Sequence, residues 1–178
     1  MNSISYRGAS VDDADAIAGV EVASKRQSIP DLESEQSMNH ERCLQRWSGY
    51  LAGTRNPKLA KQERVTFVAF DGDAMVGFLG CHHAKRLDWW PADAELQQIY
   101  VLKSHQRMGI GQNLFVMMTQ WLLNTGVNSV GVGFHAENPY RKFYLDMRGE
   151  LRGPGTCFWE GLADWIPPSR EEDDGTRD

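Results

Sequence analysis

Between residues 95 and 112 an apolar, β-branched stretch runs into a loop and then into a helix that opens Gly109-Ile110-Gly111. Glycines at a helix start let backbone N–H groups approach an anion closely, and the helix dipole favours negative charge there, so this spacing suits a phosphate. A Gly-x-Gly pair also serves tight strand-to-helix packing, and by itself it leaves both readings open. The neighbouring residues narrow the ligand. No Gly-Lys-Ser/Thr ending is present, as a nucleotide P-loop requires, and the third glycine of a dinucleotide fingerprint would fall at Leu114. Both nucleotide folds are therefore disfavoured.

The other reactive side chains are dispersed. Cys43, Cys81 and Cys157 are odd in number and lack CxxC spacing, which suggests neither a disulfide framework nor a zinc site. They read as buried, reduced thiols. His82 and His83 are neighbours near a strand end and face opposite ways, so they do not form a metal pair, and no metal site is expected. His135, three residues before Asn138, is a reserve group for proton transfer because imidazole titrates near neutrality, although a structural role is the commoner one. Tyr144 lies on an amphipathic segment where an aromatic ring ordinarily packs in the core.

These groups have to be positioned by the elements around them. Residues 3–8 alternate as a short strand, and Ser10 three before Asp13 forms a capping-box-like helix start with Asp12, Asp13 and Asp15 at the positive end of the dipole. Pro30 and several acids interrupt that helix, and a second begins near Asn39 and turns Cys43, Leu44, Trp47, Tyr50 and Leu51 inward. Residues 64–70 and 75–82 are strands joined by Asp71-Gly72-Asp73, a hairpin signal, and residues 94–102 form a third long strand after Trp89-Trp90-Pro91. Ile110, Leu114, Met117 and Trp121 recur at helical spacing up to Gly126, a left-handed cap. A strand at 127–134, a helix at 139–147 and a strand at 157–161 complete the order.

Composition sets the outer bounds. A chain of 178 residues with 41% hydrophobic content is one domain, expected over residues 1–166, with an acidic, disordered tail at 167–178. The formal charge of -5 argues against a nucleic-acid binder that relies on a basic face. More than half of that charge belongs to residues 170–178, which carry five acids against two arginines. No apolar run approaches the roughly 20 residues of a membrane span, and the first ten residues lack a signal-peptide pattern, so no membrane partner and a cytoplasmic location are expected.

The run Gln106-Arg107-Met108-Gly109-Ile110-Gly111, preceded by Ile99-Tyr100-Val101, resembles the acetyl-CoA motif of the GCN5-related N-acetyltransferase (GNAT) superfamily. The element order is similar as well, and so is the later run Glu137-Asn138-Pro139, then Phe143, Tyr144 and Gly149. The likeness extends from Ile4 to Gly161 and is strongest over residues 95–149. It implies an α/β (α+β) fold, with a mixed, mostly antiparallel sheet whose central strands splay apart and helices on its flanks. It also implies an enzyme that transfers the acetyl group of acetyl-CoA directly to a primary amine, without a covalent enzyme intermediate and without a metal.

Carried over by residue, the resemblance implies that backbone amides of Arg107, Met108, Gly109, Ile110, Gly111 and Gln112 cradle the CoA pyrophosphate, with Gln106 flanking the turn. Ile99, Tyr100 and Val101 border the acetyl and pantetheine groups, the Val101 N–H bonds the thioester carbonyl, and Asn138 contacts the pantetheine arm. Tyr144 matches the general acid that protonates the departing thiolate. Glu95, eleven residues before Gln106, is the candidate general base, and period-two alternation puts it on one face with Gln97, Ile99 and Val101. A solvated or ion-paired carboxylate accounts for Glu95 nearly as well. Members that acetylate ribosomal protein termini can carry a Glu five residues before the Asn, where this chain has Gly133. Acceptor recognition is expected from residues 29–38, where Asp31, Glu33 and Glu35 can attract a cation, although acids near a proline more commonly form a solvated loop, and from residues 86–93, where Trp89 or Trp90 can cover it. The acceptor class stays open, from small amines to a protein lysine. A second reading is an acyl-CoA-binding sensor of the same fold that has lost catalysis. Family members are often dimers, and residues 157–165 are apolar enough for an interface, although a buried final strand explains them equally.

Overall fold

The structure is a computed structural model that describes residues 3–29, 31 and 34–167. Pro30, Glu33 and the acidic stretch 170–178 lie outside the described residues. Seven strands form one sheet: β1 (Ile4–Gly8), β2 (Ala60–Asp71), β3 (Ala74–Ala84), β4 (Ala94–Val101), β5 (Ser129–Gly133), β6 (Glu150–Leu151) and β7 (Thr156–Glu160). Four α-helices flank it: α1 (Ala14–Ser28), α2 (His40–Leu51), α3 (Ile110–Asn124) and α4 (Arg141–Asp146). The sheet order is β1-β2-β3-β4-β5-β7-β6, and every neighbouring pair is antiparallel except β4 with β5. The mixed, mostly antiparallel sheet expected from the sequence is thus observed, with the two-residue β6 as an addition too short for a periodic signal.

Local chemistry accounts for the boundaries. The pairing of Asp71 with Ala74 leaves Gly72 and Asp73 as a two-residue hairpin loop, and Gly72 takes the left-handed φ of 59° that such a tight loop requires. The Asn39 side chain accepts the backbone N–H of Arg42 at 3.0 Å, which caps α2. Gly126, at φ 78°, closes α3.

The sheet divides two apolar layers. Ile17 and Ala18 of α1 and Cys43, Trp47 and Tyr50 of α2 pack on Val68 and Phe78. On the opposite face Leu114, Phe115, Met118 and Leu122 of α3 pack on Leu79, Leu96, Val130, Val132 and Trp159. Cys157, Phe158, Trp159 and Leu162 are all buried within the chain itself, so its own core accounts for the apolar character of the final strand.

One buried charge ties the first layer to the sheet. Glu21 of α1 is fully buried; it accepts from Trp47 Nε1 at 2.6 Å and from Gln98 Nε2 at 3.3 Å, and it pairs with Arg46 and with Lys25, the latter at 2.9 Å. The two cations outweigh the burial that opposes ionisation, so its carboxyl lies below the usual range. Removing such partners from a buried charge is strongly destabilising, whereas the intact network holds α1, α2 and β4 in one arrangement.

A second carboxylate pins the start of α1. Asp13 accepts both guanidinium N–H groups of Arg7 at 2.7 and 2.8 Å and the Ser10 backbone N–H at 2.7 Å, and the Arg7 bonds foremost lower its pKa to about 2. A carboxyl lowered in the folded state adds stability above its unfolded pKa, roughly 4, and loses that contribution as pH falls through the folded value. Asp13→Asn should therefore lower the unfolding free energy by about 1–2 kcal/mol at pH 7 and by much less at pH 2.5. Urea unfolding at the two pH values checks this, and an equal loss at both would remove the ion pair as its cause.

Candidate active site

The β4–β5 contact is a single parallel pair, Glu95 with Gly131. Gly131 is required at that approach, since a Cβ there would lie 2.5 Å from Phe158 and 2.9 Å from Trp90. Beyond it β5 follows β7, from Ser129 opposite Glu160 to Gly133 opposite Thr156, while β4 follows β3 out to Val101 opposite Gly77. The two strands part and a gap opens between them.

Antiparallel ladders alternate, so every second residue turns its N–H and C=O away from a given partner. The Leu102 N–H bonds the Val76 carbonyl at 2.9 Å, which makes Leu102 and Val76 a hydrogen-bonded pair and puts Val101 and Gly77 out of phase with it. The Val101 backbone groups accordingly face the gap. Its carbonyl accepts the Gln106 side-chain amide at 3.0 Å, which staples the following loop to the strand end, and its N–H is directed into the open side.

The glycine turn closes one end of this gap. Arg107 and Gly109 both take left-handed backbone conformations, at φ 65° and 78°, and Gly109 is the N-cap of α3. Left-handed residues alternating with residues of the opposite hand curl successive backbone amides into a concave nest. The first helical hydrogen bond runs from Asn113 N–H to the Gly109 carbonyl at 3.0 Å, and the N–H groups of Met108, Gly109, Ile110 and Gly111 have no backbone acceptor among the described residues. Met108 is half exposed; Gly111 lies close under Phe143, where a Cβ would come within 3.1 Å of the ring. Gln106 therefore braces the turn through Val101 and does not itself point an amide at the nest.

Glu95 does not share a face with Ile99 and Val101. Leu96 pairs with Cys81 and Gln98 with Gly80, so Gln97 is an extra residue and β4 carries a bulge there. A bulge restarts the alternation one residue out of phase. Ile99 and Val101 pack in the α3 layer, whereas Tyr100 packs in the α1–α2 layer. Glu95 shares the α1–α2 face with Tyr50: its Oε2 lies 2.9 Å from His82 Nε2, and His82 Nδ1 lies 3.1 Å from the Tyr50 hydroxyl. His82 is wholly buried and the Glu95 side chain is about one-fifth exposed, so the carboxylate is held from behind and open in front. The sequence left His82 unassigned because its partner stands on another strand, 13 residues away; the adjacent His83 turns the other way, to Thr125 and Trp121.

Tyr144 occupies the α3 side, stacked on Phe134 at 5.0 Å and edge-on to Phe143 and Trp159. Burial pushes its pKa well up, so the phenol keeps its proton, and its hydroxyl has no hydrogen-bond partner among the described residues. Asn138 uses its side-chain oxygen on the Tyr140 N–H at 2.8 Å, a local turn that leads into α4. His135 is exposed; its imidazole accepts the Glu137 N–H at 3.3 Å and lies 4.0 Å from the Glu137 carboxylate. Trp90 is buried against Phe158 and is not free to cover a ligand, while Trp89 is exposed under Lys58. The described residues contain no group of three metal-type ligands and no helix long and apolar enough to cross a membrane.

The overall fold that carries this gap is one that solved proteins share. The sequence model of the acetyltransferase (GNAT) family matches residues 27–149. This chain belongs to that family. An uncharacterised N-acetyltransferase of Bacillus subtilis, YuaI, is 27% identical over 144 residues, which cover 79% of this chain and 77% of that protein. Among solved structures, the PaiA N-acetyltransferase of Thermoplasma acidophilum in complex with coenzyme A superposes with a TM-score of 0.68 at 16% identity, over 89% of this chain and 99% of its own. A GNAT acetyltransferase of Brucella melitensis in complex with acetyl-CoA has a TM-score of 0.60 at 18% identity, over 90% of this chain and 89% of its own. At those identities the structures report the fold.

The cysteines of this acetyltransferase are buried and free. Desolvation first of all raises all three thiols, Cys157 to about 11, which keeps them protonated and poorly nucleophilic. In the folded protein at pH 7.5 a thiol-specific chromogenic reagent should react slowly with all three, and promptly once the chain is unfolded in guanidinium. Rapid native labelling of any one would identify a reactive thiol.

Proposed function

We propose that the protein transfers the acetyl group of acetyl-CoA to a primary amine, in a ternary complex and without a covalent enzyme intermediate. What carries this reading is the gap between β4 and β5, with the Val101 N–H directed into it and the amide nest of residues 107–111 at its end. The free amides suit a pyrophosphate, the exposed strand edge suits an extended amide-bearing arm, and the neighbours named above include coenzyme A and acetyl-CoA complexes. Bound there, acetyl-CoA supplies an activated acetyl thioester.

The remaining roles belong to the chain. The Val101 N–H donates to the thioester carbonyl, and in other enzymes a comparable donor lowers the barrier by roughly 3 kcal/mol as charge develops on that oxygen. Ile99 and Tyr100 border the same edge, and Arg107, Met108, Gly109, Ile110, Gly111 and Gln112 hold the phosphate end with Gln106 bracing the turn. Asn138, in the loop between β5 and α4, contacts the arm. Glu95 and Tyr144 stand on opposite faces of the sheet, so an amine deprotonated on the α1–α2 side can meet the thioester while a phenol on the α3 side donates to the departing sulfur. An ammonium has no lone pair, which is why a base is needed on the acceptor side. Here it is the Glu95 carboxylate, steadied by His82 and, through it, Tyr50.

Tyr144→Phe should lower kcat at least tenfold with little change in acetyl-CoA affinity, whereas Gly109→Glu should abolish binding by setting a carboxylate and bulk against the phosphates. Calorimetry and a free-thiol release assay separate the two effects. Full activity in Tyr144→Phe would end the general-acid assignment, and acetyl-CoA binding without turnover on any amine would favour the sensor reading. Glu95→Gln should lose activity at neutral pH and regain part of it as pH rises, because more of the acceptor is then already neutral. A parallel, pH-independent loss would mean that Glu95 orients without accepting a proton.

A further inference from the structure

The face of the sheet that carries Glu95 opens into a cleft whose charge was not foreseeable from the sequence. A cavity of about 250 Å³ is lined by Arg46, Trp47, Tyr50, Arg55, Asn56, Pro57 and Gln97. A second, of about 460 Å³, shares Arg46 and Arg55 with it and adds Lys25, Arg42 and polar residues. The first adjoins the proposed base: Tyr50 bonds His82, which bonds Glu95, and Gln97 is the bulge residue two positions beyond Glu95.

Among the described residues the two cavities are lined by four cations and no acid. Buried Glu21 pairs with both Lys25 and Arg46, so the cations the cleft leaves to a ligand are Arg42 and Arg55. Arg42 and Arg55 have no ion pair among the described residues. Asp31 and Glu35, which the sequence suggested as a lure for cations, are exposed and line neither cavity. In a protein of net charge -5 this cleft is a local reversal of sign.

The Arg55 wall is built rather than loose. Thr54 and Arg55 both donate backbone N–H groups to the Gly49 carbonyl at 2.9 Å, and a Cβ on Gly49 would meet the Arg55 Cβ at 2.9 Å. Arg64 donates to the Arg55 and Tyr50 carbonyls at 2.9 and 3.3 Å and to the Asn56 side chain. In the same cavity the buried Gln97 amide oxygen has no hydrogen-bond partner among the described residues. That oxygen can accept a donor from a ligand or an ordered water.

We propose that the acceptor is a small primary amine carrying an anionic group, a carboxylate or a phosphate. Its amine lies toward Glu95 and Gln97 and its anion lies against Arg55, with Arg42 and Arg46 beside it. The proposal rests on acetyl transfer to an amine as the function. Guanidinium groups pair with both oxyanions through two parallel hydrogen bonds, so the shared chemistry is a planar or tetrahedral oxyanion a few atoms from the nitrogen. The reaction would also remove the acceptor's positive charge, leaving a product whose anion is its only ionised group.

The test is a steady-state comparison with acetyl-CoA and matched amines: an amino carboxylate, its methyl ester, an amino phosphate, its neutral alcohol and a diamine. The anionic members should have kcat/KM at least tenfold above their neutral counterparts, and whichever of carboxylate and phosphate leads identifies the anion. Arg55→Gln should raise KM for the preferred amine about tenfold with a smaller effect on kcat, the size expected for one lost charge-assisted contact. Arg55→Lys should recover part of that, and Arg42→Gln offers an independent variant on another element. Lys58→Gln, outside the cleft, should match the parent. Preference for the ester, the alcohol or the diamine would overturn the proposal while leaving the transferase reading intact. So would an Arg55→Gln effect on KM for acetyl-CoA alone, which would assign the cleft to the cofactor. Acetyl-CoA binding with no amine acetylated would end the transferase reading and this proposal together.

Discussion

Everything that distinguishes the site depends on where β4 and β5 stop pairing. A parallel pair ordinarily extends along both strands, because each unpaired backbone group in an interior costs free energy. Here pairing ends after Glu95 and Gly131, and the groups that β4 would have spent on β5 remain available in the middle of the sheet. Two things hold the strands apart: antiparallel pairing draws β5 toward β7, and the bulge at Gln97 turns β4 along β3. The Gln106 side chain answers one of the freed carbonyls, that of Val101, and leaves the donor beside it unspent.

The same bulge decides what stands on each side of the opening. Because it shifts the alternation by one, Glu95 faces the α1–α2 layer while Ile99 and Val101 face α3. Glu95 and Tyr144, which packs in the α3 layer, therefore stand on opposite faces of the sheet. Buried Glu21 reinforces this division: by holding Arg46, Lys25, Trp47 and Gln98 together it fixes α2 against α1 and β4 and keeps the guanidinium-bearing face of α2 at the cleft.

Much of this could be read from the chain because it is local. The glycine turn, the hairpin at Gly72, the helix start near Asn39 and the helical spacing after Ile110 are each specified by residues within a few positions of one another, and each forms as expected. The expectation that failed for Glu95 failed for a local reason as well: strict period-two alternation holds only in a strand without an extra residue, and Gln97-Gln98 carries no residue-type signal of a bulge. Trp90 was misjudged because nothing near it in sequence announces that Phe158 and Leu59 will enclose it.

The sequence by itself determined the family, the strand and helix order and the position of the glycine turn, because periodicity, capping and a glycine's access to left-handed φ are properties of short segments. Tertiary structure alone decided that His82 stands behind Glu95, that Tyr50 stands behind His82, and that Arg42, Arg46 and Arg55 converge on a cleft beside them. Those juxtapositions join α1, α2, β3 and β4, and they follow from sheet register and from a buried carboxylate that must gather its cations. Neither is encoded in any single stretch of the chain.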